Sequence, residues 1–212
     1  MIMGKGKFIV FEGIDGSGKS TQIKLLAENL KKRGIACCET FEPTYGLVGS
    51  VLHDILSGKI KRDPKVTAAL FVADRLDHIL NQEDGMLKSI ESGETVLCDR
   101  YYFSSYAYQS VDVPRDWVIM ANRMAKDALK PDATIFIDIT ADTAMERITQ
   151  NRENTELYET KERLESVRNG YFSAFELMKD EERIFVVDGN RSIEEIAKEI
   201  EEIVIKLIFQ KY

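Results

Sequence analysis

Five short runs of mostly apolar residues divide this chain, at 8–11, 35–40, 95–98, 135–137 and 184–187. Each is short enough for a strand and has no helical period. Between the runs, hydrophobic residues recur at steps of three and four. Ile23, Leu25, Leu26 and Leu30 predict a helix over 19–33, with Gly34 as its stop. Val48, Val51, Leu52, Ile55 and Leu56 predict a second, ending at Gly58. Asp63-Pro64 has the form of an N-cap followed by a first-turn proline. It leads a long helix carrying Val66, Leu70, Ala73 and Leu76. Met86, Leu87 and Ile90 mark a shorter one closed by Gly93, and Pro114 opens one bearing Trp117, Val118, Ala121 and Met124. Further helices fall around 144–148 and along Leu164, Val167, Tyr171 and Phe175. The last, through Ile196, Ile200, Ile203 and Leu207, is headed by Ser192 and Glu195 at capping-box spacing.

Strands that are apolar throughout and alternate with helices describe an α/β fold: a five-stranded parallel sheet with helices on both faces, a three-layer sandwich. No repeat, low-complexity segment or linker interrupts it, so residues 1–212 read as one domain. In such folds ligands sit at the C-terminal ends of the strands. The strongly polar stretch 149–160 is the candidate for a mobile lid.

The first strand runs directly into Gly13-Ile14-Asp15-Gly16-Ser17-Gly18-Lys19-Ser20-Thr21, and a helix follows. This is a P-loop in its proper strand–turn–helix setting, and it places the fold among the P-loop NTPases. Its glycines let backbone N–H groups face a polyphosphate, and the helix N-terminus adds partial positive charge. Lys19 reaches the β- and γ-phosphates and the Ser20 hydroxyl sits on Mg²⁺ in such a loop.

The other strand ends are polar too: Glu42-Pro43-Thr44 after the second, Asp99-Arg100-Tyr101 after the third, Asp138 after the fourth, Asp188 after the fifth. Asp99 is placed to hold Mg²⁺ or its waters, and Arg100 to grip a second phosphate with two parallel bonds, unless the two simply pair with each other. Phe71 and Arg75 stand four apart on one helical face, where a ring can stack on a base and a guanidinium can donate to a base oxygen. The bland alternative is a core Phe and a surface Arg. Arg147 and Arg152 bracket the start of the polar stretch, where a cation on a closing segment can offset transition-state charge.

The net charge of −7 lacks the basic face that nucleic acid requires. No apolar stretch approaches the roughly 18 residues that span a bilayer. The first seven residues lack the apolar core of a signal peptide. Three cysteines, two of them adjacent, and two histidines argue for reduced packing thiols and against zinc. These features together predict a cytoplasmic protein with small-molecule partners.

The chain resembles the thymidylate kinases along nearly its whole length. The resemblance rests on Phe11 through Thr21, on Glu42-Pro43-Thr44 and on Phe71-Val72-Ala73-Asp74-Arg75-Leu76-Asp77-His78. It continues through Asp99-Arg100-Tyr101-Tyr102-Phe103-Ser104-Ser105-Tyr106-Ala107-Tyr108-Gln109 and Pro131-Asp132. It implies transfer of phosphate from ATP to dTMP, giving dTDP and ADP, with Mg²⁺, usually in a homodimer. It implies that Asp15 contacts the sugar 3′-hydroxyl, that Phe71 stacks on thymine and that Arg75 contacts its O4 and the monophosphate region. Arg100 would hold the acceptor phosphate and Tyr108 would crowd the 2′ position. Ser104, Ser105 and Gln109 would line the base and sugar pocket, together with Glu42 and Pro43. Where some members carry an arginine in the P-loop this chain has Gly16. Members without that arginine supply the cation from the lid instead, which points to Arg152 first and Arg147 second.

Two other readings compete. A deoxynucleoside kinase needs a carboxylate base, for which Glu12 or Glu42 is available. A nucleotide-dependent switch needs no second nucleotide pocket.

Overall fold

A computed structural model describes residues 5–151 and 160–209. Its centre is β1 (Phe8–Glu12), every residue of which is buried. Helix α1 (Lys19–Lys32) follows, then β2 (Cys37–Phe41), α2 (Leu47–Leu56), α3 (Pro64–Leu80), α4 (Met86–Glu91) and β3 (Thr95–Asp99). The second half comprises α5 (Tyr102–Tyr108), a 3₁₀ turn over Gln109–Val111, α6 (Arg115–Ala128), β4 (Ala133–Asp138), α7 (Ala141–Asn151), α8 (Lys161–Met178), β5 (Ile184–Asp188) and α9 (Ile193–Phe209).

The five strands form one all-parallel sheet in the order β2-β3-β1-β4-β5. Alternation along β1 divides the core. Ile9 and Phe11 face α1 and α9, meeting Ile23, Leu26, Leu30, Ile196, Ile200 and Val204. Phe8 and Val10 face the larger layer built from α3 to α8. Both faces are therefore covered, as parallel strands require. No described helix is long and apolar enough to cross a membrane.

The local signals hold at several ends. The Asp63 carboxylate accepts from Lys65 N at 2.9 Å, capping α3. Ser192 and Glu195 exchange hydrogen bonds at the start of α9, the reciprocal box the spacing predicted. Leu164, Val167, Tyr171 and Phe175 are all buried on α8.

Three expectations need adjustment. Strand β2 begins at Cys37 rather than Ile35. Helix α5 was not anticipated, because all seven of its residues are buried and it has no polar face to give a period. On α3 the buried side is Thr67, Ala68, Asp74, Arg75 and Ile79, while Val66 and Ala73 are exposed. Likewise α6 buries Val118, Asn122 and Ala125 and exposes Met124. Both helices turn polar groups inward because a polar site lies there.

Candidate active site

Parallel pairing of β1 with β3 sets Phe11 beside Asp99, so the residues just beyond both strands emerge together. The chain leaves β3 abruptly. Arg100 has φ 71°, a left-handed backbone that costs a non-glycine residue about 1–3 kcal/mol. Its N–H bonds Phe11 O at 2.8 Å, which anchors the turn to the central strand.

The P-loop wraps around the end of β1. Gly13 has φ 151°, and a Cβ there would lie 2.8 Å from Ile137 O. Gly16 has φ 78°, and a Cβ would lie 2.9 Å from Ala144 O. An arginine at this position has no room, which accounts for the glycine found there. Lys19 is buried, its Nζ donating to Gly13 O at 3.0 Å and Ile14 O at 3.2 Å. Burial, followed by the nearby Arg100 charge, pulls the Lys19 ammonium below its ordinary range. Ile14 itself packs in the core, so Gly13 and Ile14 serve the loop through their carbonyls.

Ser20 Oγ donates to Asp99 Oδ2 at 2.9 Å, and the other carboxylate oxygen of Asp99 is buried without a partner among the described residues. A hydroxyl and a carboxylate with a spare lone pair suit Mg²⁺, which takes one or two protein oxygens and fills its shell with phosphate and water. No cluster of three or more His, Cys, Asp or Glu able to hold a metal occurs among the described residues.

Opposite the loop, the Arg100 guanidinium is held on several sides. Nη2 donates to Asp15 Oδ1 at 2.5 Å and to Tyr108 OH at 3.3 Å. Nη1 donates to Ser104 Oγ at 3.2 Å and to Gly13 O at 3.4 Å. Its Cζ lies 4.8 Å from the centre of the Tyr108 ring. Tyr108 OH donates to the other Asp15 oxygen at 2.8 Å. Burial alone would raise the Asp15 pKa. The charges of Arg100 and Lys19, with the Tyr108 bond, outweigh it and hold the carboxyl below the usual range. Arg100 thus pairs with Asp15, and the Asp99-Arg100 pair considered above does not form.

Phe71 is half-buried on α3, one turn before Arg75. Arg75 is 1 % exposed, far from the surface position of the bland reading. Its Nε donates to Glu42 Oε2 at 2.7 Å, and Nη1 to Ser105 Oγ at 2.9 Å and to Asn122 Oδ1. Glu42 also meets His78 Nδ1 at 3.2 Å, whose Nε2 lies 2.6 Å from Thr40 Oγ1. Asp74 takes Thr44 N at 2.8 Å and Thr44 Oγ1 at 2.6 Å, fastening the Glu42-Pro43-Thr44 loop to α3.

One cavity of about 1210 Å³ joins these groups. The loop from Asp15 to Thr21 lines it, as do Glu42, Pro43, Phe71, Arg75, Asp99, Arg100, Ser104, Tyr108, Gln109 and Arg147. This volume exceeds the roughly 300–1,000 Å³ of single-ligand pockets. Ser105 is buried behind Arg75 and does not line it. Arg147 lies against the loop, donating to Gly189 O at 2.9 Å and Gly16 O at 3.5 Å. Arg152, and with it residues 152–159 of the expected lid, lies outside the described residues.

A family model described as thymidylate kinase matches residues 11–200. A thymidylate kinase of Leptospira borgpetersenii serovar Hardjo-bovis is 38% identical over 97% of this chain and 96% of its own length. One from Symbiobacterium thermophilum is 34% identical over 97% and 95%. The chain belongs to the thymidylate kinase family. It is therefore a kinase, a phosphotransferase dependent on ATP.

Membership and geometry agree against the deoxynucleoside kinase reading. Glu12 is fully buried and does not line the cavity, and its carboxylate accepts four hydrogen bonds. Glu42 is occupied by Arg75 and His78. Neither is available as a base toward a sugar hydroxyl. Membership also disfavours the switch reading. The roles of Asp74, Asn122 and Arg191 were not foreseen. Asn122 carries a visible signal: it lies at helical spacing between the buried Val118 and Ala125, where a polar residue needs a partner. Arg191 lines the cavity and pairs with Glu199, with no motif to flag it.

Proposed function

We propose that the two halves of the cavity hold ATP and dTMP and that phosphate passes between them at the P-loop. The enzyme converts ATP and dTMP to ADP and dTDP. The observation that carries the site assignment is the Gly13 carbonyl, which accepts from both Lys19 Nζ and Arg100 Nη1. The two phosphate-binding cations converge on one atom. Anions held by each would meet there, the donor's γ-phosphate on the Lys19 side and the acceptor phosphate on the Arg100 side.

The chemistry needs little else. The acceptor phosphate is already a nucleophile, so the protein supplies alignment and cancels charge. Lys19 leaves its two carbonyls for phosphate oxygens. Arg100 exchanges part of its Ser104 and Tyr108 contacts for the dTMP phosphate while Asp15 keeps it oriented. Mg²⁺ would be held through Ser20 and Asp99, and when bound it neutralises the β- and γ-oxygens. Arg147, beside Gly16, and Arg152 are the cations assigned to the transferring group. Asp15 and Tyr108 face the sugar. Phe71 stacks on thymine, with Arg75 and Gln109 at its polar edge. Pro43 and the Glu42-held Arg75 close the pocket floor.

We propose a single kinase domain acting as a homodimer. The apolar residues left outward on two packed helices, Val66 and Leu80 of α3 with Met120 and Met124 of α6, support this. Three free thiols support a reducing, cytoplasmic setting.

The test is turnover with ATP, Mg²⁺ and a panel of nucleosides and monophosphates. ADP release is expected with dTMP far above thymidine or other monophosphates. Preference for thymidine, or hydrolysis indifferent to any acceptor, would overturn the assignment. Phe71→Ala should raise the dTMP KM about 10- to 100-fold, the worth of one base–aromatic stack, and leave that of ATP within about twofold. An equal rise for both removes Phe71 from the base pocket.

A further inference from the structure

Glu12 is the most deeply buried carboxylate near the reaction and touches neither nucleotide subsite. Its Oε1 accepts from Tyr101 N at 2.9 Å and Ser104 N at 3.1 Å. Its Oε2 accepts from Ser104 Oγ at 2.6 Å and Tyr171 OH at 2.8 Å. The two backbone donors flank the turn that begins with left-handed Arg100, and the two hydroxyls come from the same turn and from α8. Ser104 Oγ in turn accepts from Arg100.

We propose that Glu12 is a positioning residue for the acceptor clamp. By hydrogen bonding, it holds the strained Arg100 turn against the end of β1, so that the guanidinium sits at the P-loop. A left-handed arginine persists only where its surroundings overdetermine it. Here the following residue, Tyr101, is tied by its N–H to Glu12, and Arg100 N itself is tied to Phe11 O. Glu12 and Phe11 are neighbours on the strand that carries the P-loop, so donor loop and acceptor clamp share one rigid mount. The role is one of geometry rather than charge. Burial raises the Glu12 pKa, against the opposing hydrogen bonds from Ser104, Tyr171 and Tyr101 and the Arg100 charge. The inference rests on the assignment of Arg100 to the dTMP phosphate.

Two variants of equal mildness separate geometry from charge. Glu12→Gln keeps the length. Its amide oxygen accepts from Tyr101 and Ser104, and its NH₂ donates to the two hydroxyls. Glu12→Asp keeps the charge but is one methylene short and cannot span both sides. The expected result is kcat/KM for dTMP within about fivefold of wild type for Glu12→Gln and lowered about 30-fold or more for Glu12→Asp, because a misplaced clamp loses alignment. The KM for ATP should stay within about twofold in both. The reverse order, or equal losses toward ATP and dTMP, overturns the proposal. Should Glu12→Asp not fold, Glu12→Gln decides alone: a loss beyond about 30-fold contradicts a hydrogen-bonding role. The clamp reading is tested separately. Arg100→Ala with undiminished dTMP turnover overturns that reading, whereas a wild-type-like Glu12→Asp beside an impaired Arg100→Ala overturns only the role of Glu12.

Discussion

Arg100→Ala is expected to lower kcat/KM for dTMP by about 30- to 1,000-fold, the 2–4 kcal/mol typical of removing one positioned donor to developing charge. Two effects add. The acceptor phosphate loses its only cation among the described residues that is held by Asp15, Tyr108, Ser104 and Gly13 together. Asp15, which Arg100 neutralises at 2.5 Å, would then face an incoming phosphate as a bare carboxylate. Folding should be little affected, because Arg100 is not wholly enclosed, with 18% of its side chain exposed. Arg100→Lys should fall between, since an ammonium supplies charge without the fork. Steady-state kinetics with dTMP varied at saturating ATP provide the check. Undiminished turnover in Arg100→Ala would remove the residue from the acceptor site.

Arg75→Ala should damage the fold as well as the function. Arg75 and Glu42 are 1% and 2% exposed, and removing the cation leaves a buried carboxylate uncompensated. Breaking such a pair costs about 3–5 kcal/mol. At about 2–4 °C per kcal/mol for a chain of this size, the melting temperature should fall by about 6–20 °C. Ser105 and Asn122 lose their partner as well. Pairing Arg75→Met with Glu42→Gln removes both charges. That double variant should regain most of the stability while dTMP turnover stays low, because the guanidinium proposed to meet the base is still missing. Denaturant melts with parallel kinetics separate the two. A single variant as stable as wild type would show that the pair is not the buried bridge described.

The fold was legible to the extent that its physics is local. Apolar runs without period gave the central strands β1, β3 and β4, which are buried on both sides, and largely apolar runs gave the part-exposed edge strands β2 and β5. Capping chemistry at Asp63 and at Ser192 with Glu195 placed two helix starts to the residue. Helix α5 was illegible for the complementary reason: its tyrosines, serines and phenylalanine are buried on every side. The inward faces of α3 and α6 cannot be read from hydrophobic spacing, which takes the core to be apolar. Here Arg75, Asp74 and Asn122 are as deeply buried as Ile79, Val118 and Ala125, while Val66, Leu80, Met120 and Met124 are exposed.

The site was legible where a motif sets the backbone, as in the strand–turn–helix around Gly13 to Thr21, and in the placing of Arg100 on the same cavity as that loop. What the sequence did not disclose was which charge pairs with which. Neighbours Asp99 and Arg100 turn to different partners, Ser20 and Asp15, because the left-handed backbone at Arg100 swings the two side chains apart. Nor did it show that Glu12 and Glu42 are spent inside the protein. That depends on contacts with Tyr171, 159 residues away, and with Arg75, 33 residues away.

A crystal structure of the enzyme with dTMP and a non-hydrolysable ATP analogue tests the account most directly. The account predicts both nucleotides in the one cavity, thymine on Phe71, the dTMP phosphate bonded to Arg100, and the triphosphate wrapped by residues 13–21 with its end group toward that phosphate. A dTMP bound elsewhere, or seated with its phosphate away from Arg100, would contradict it.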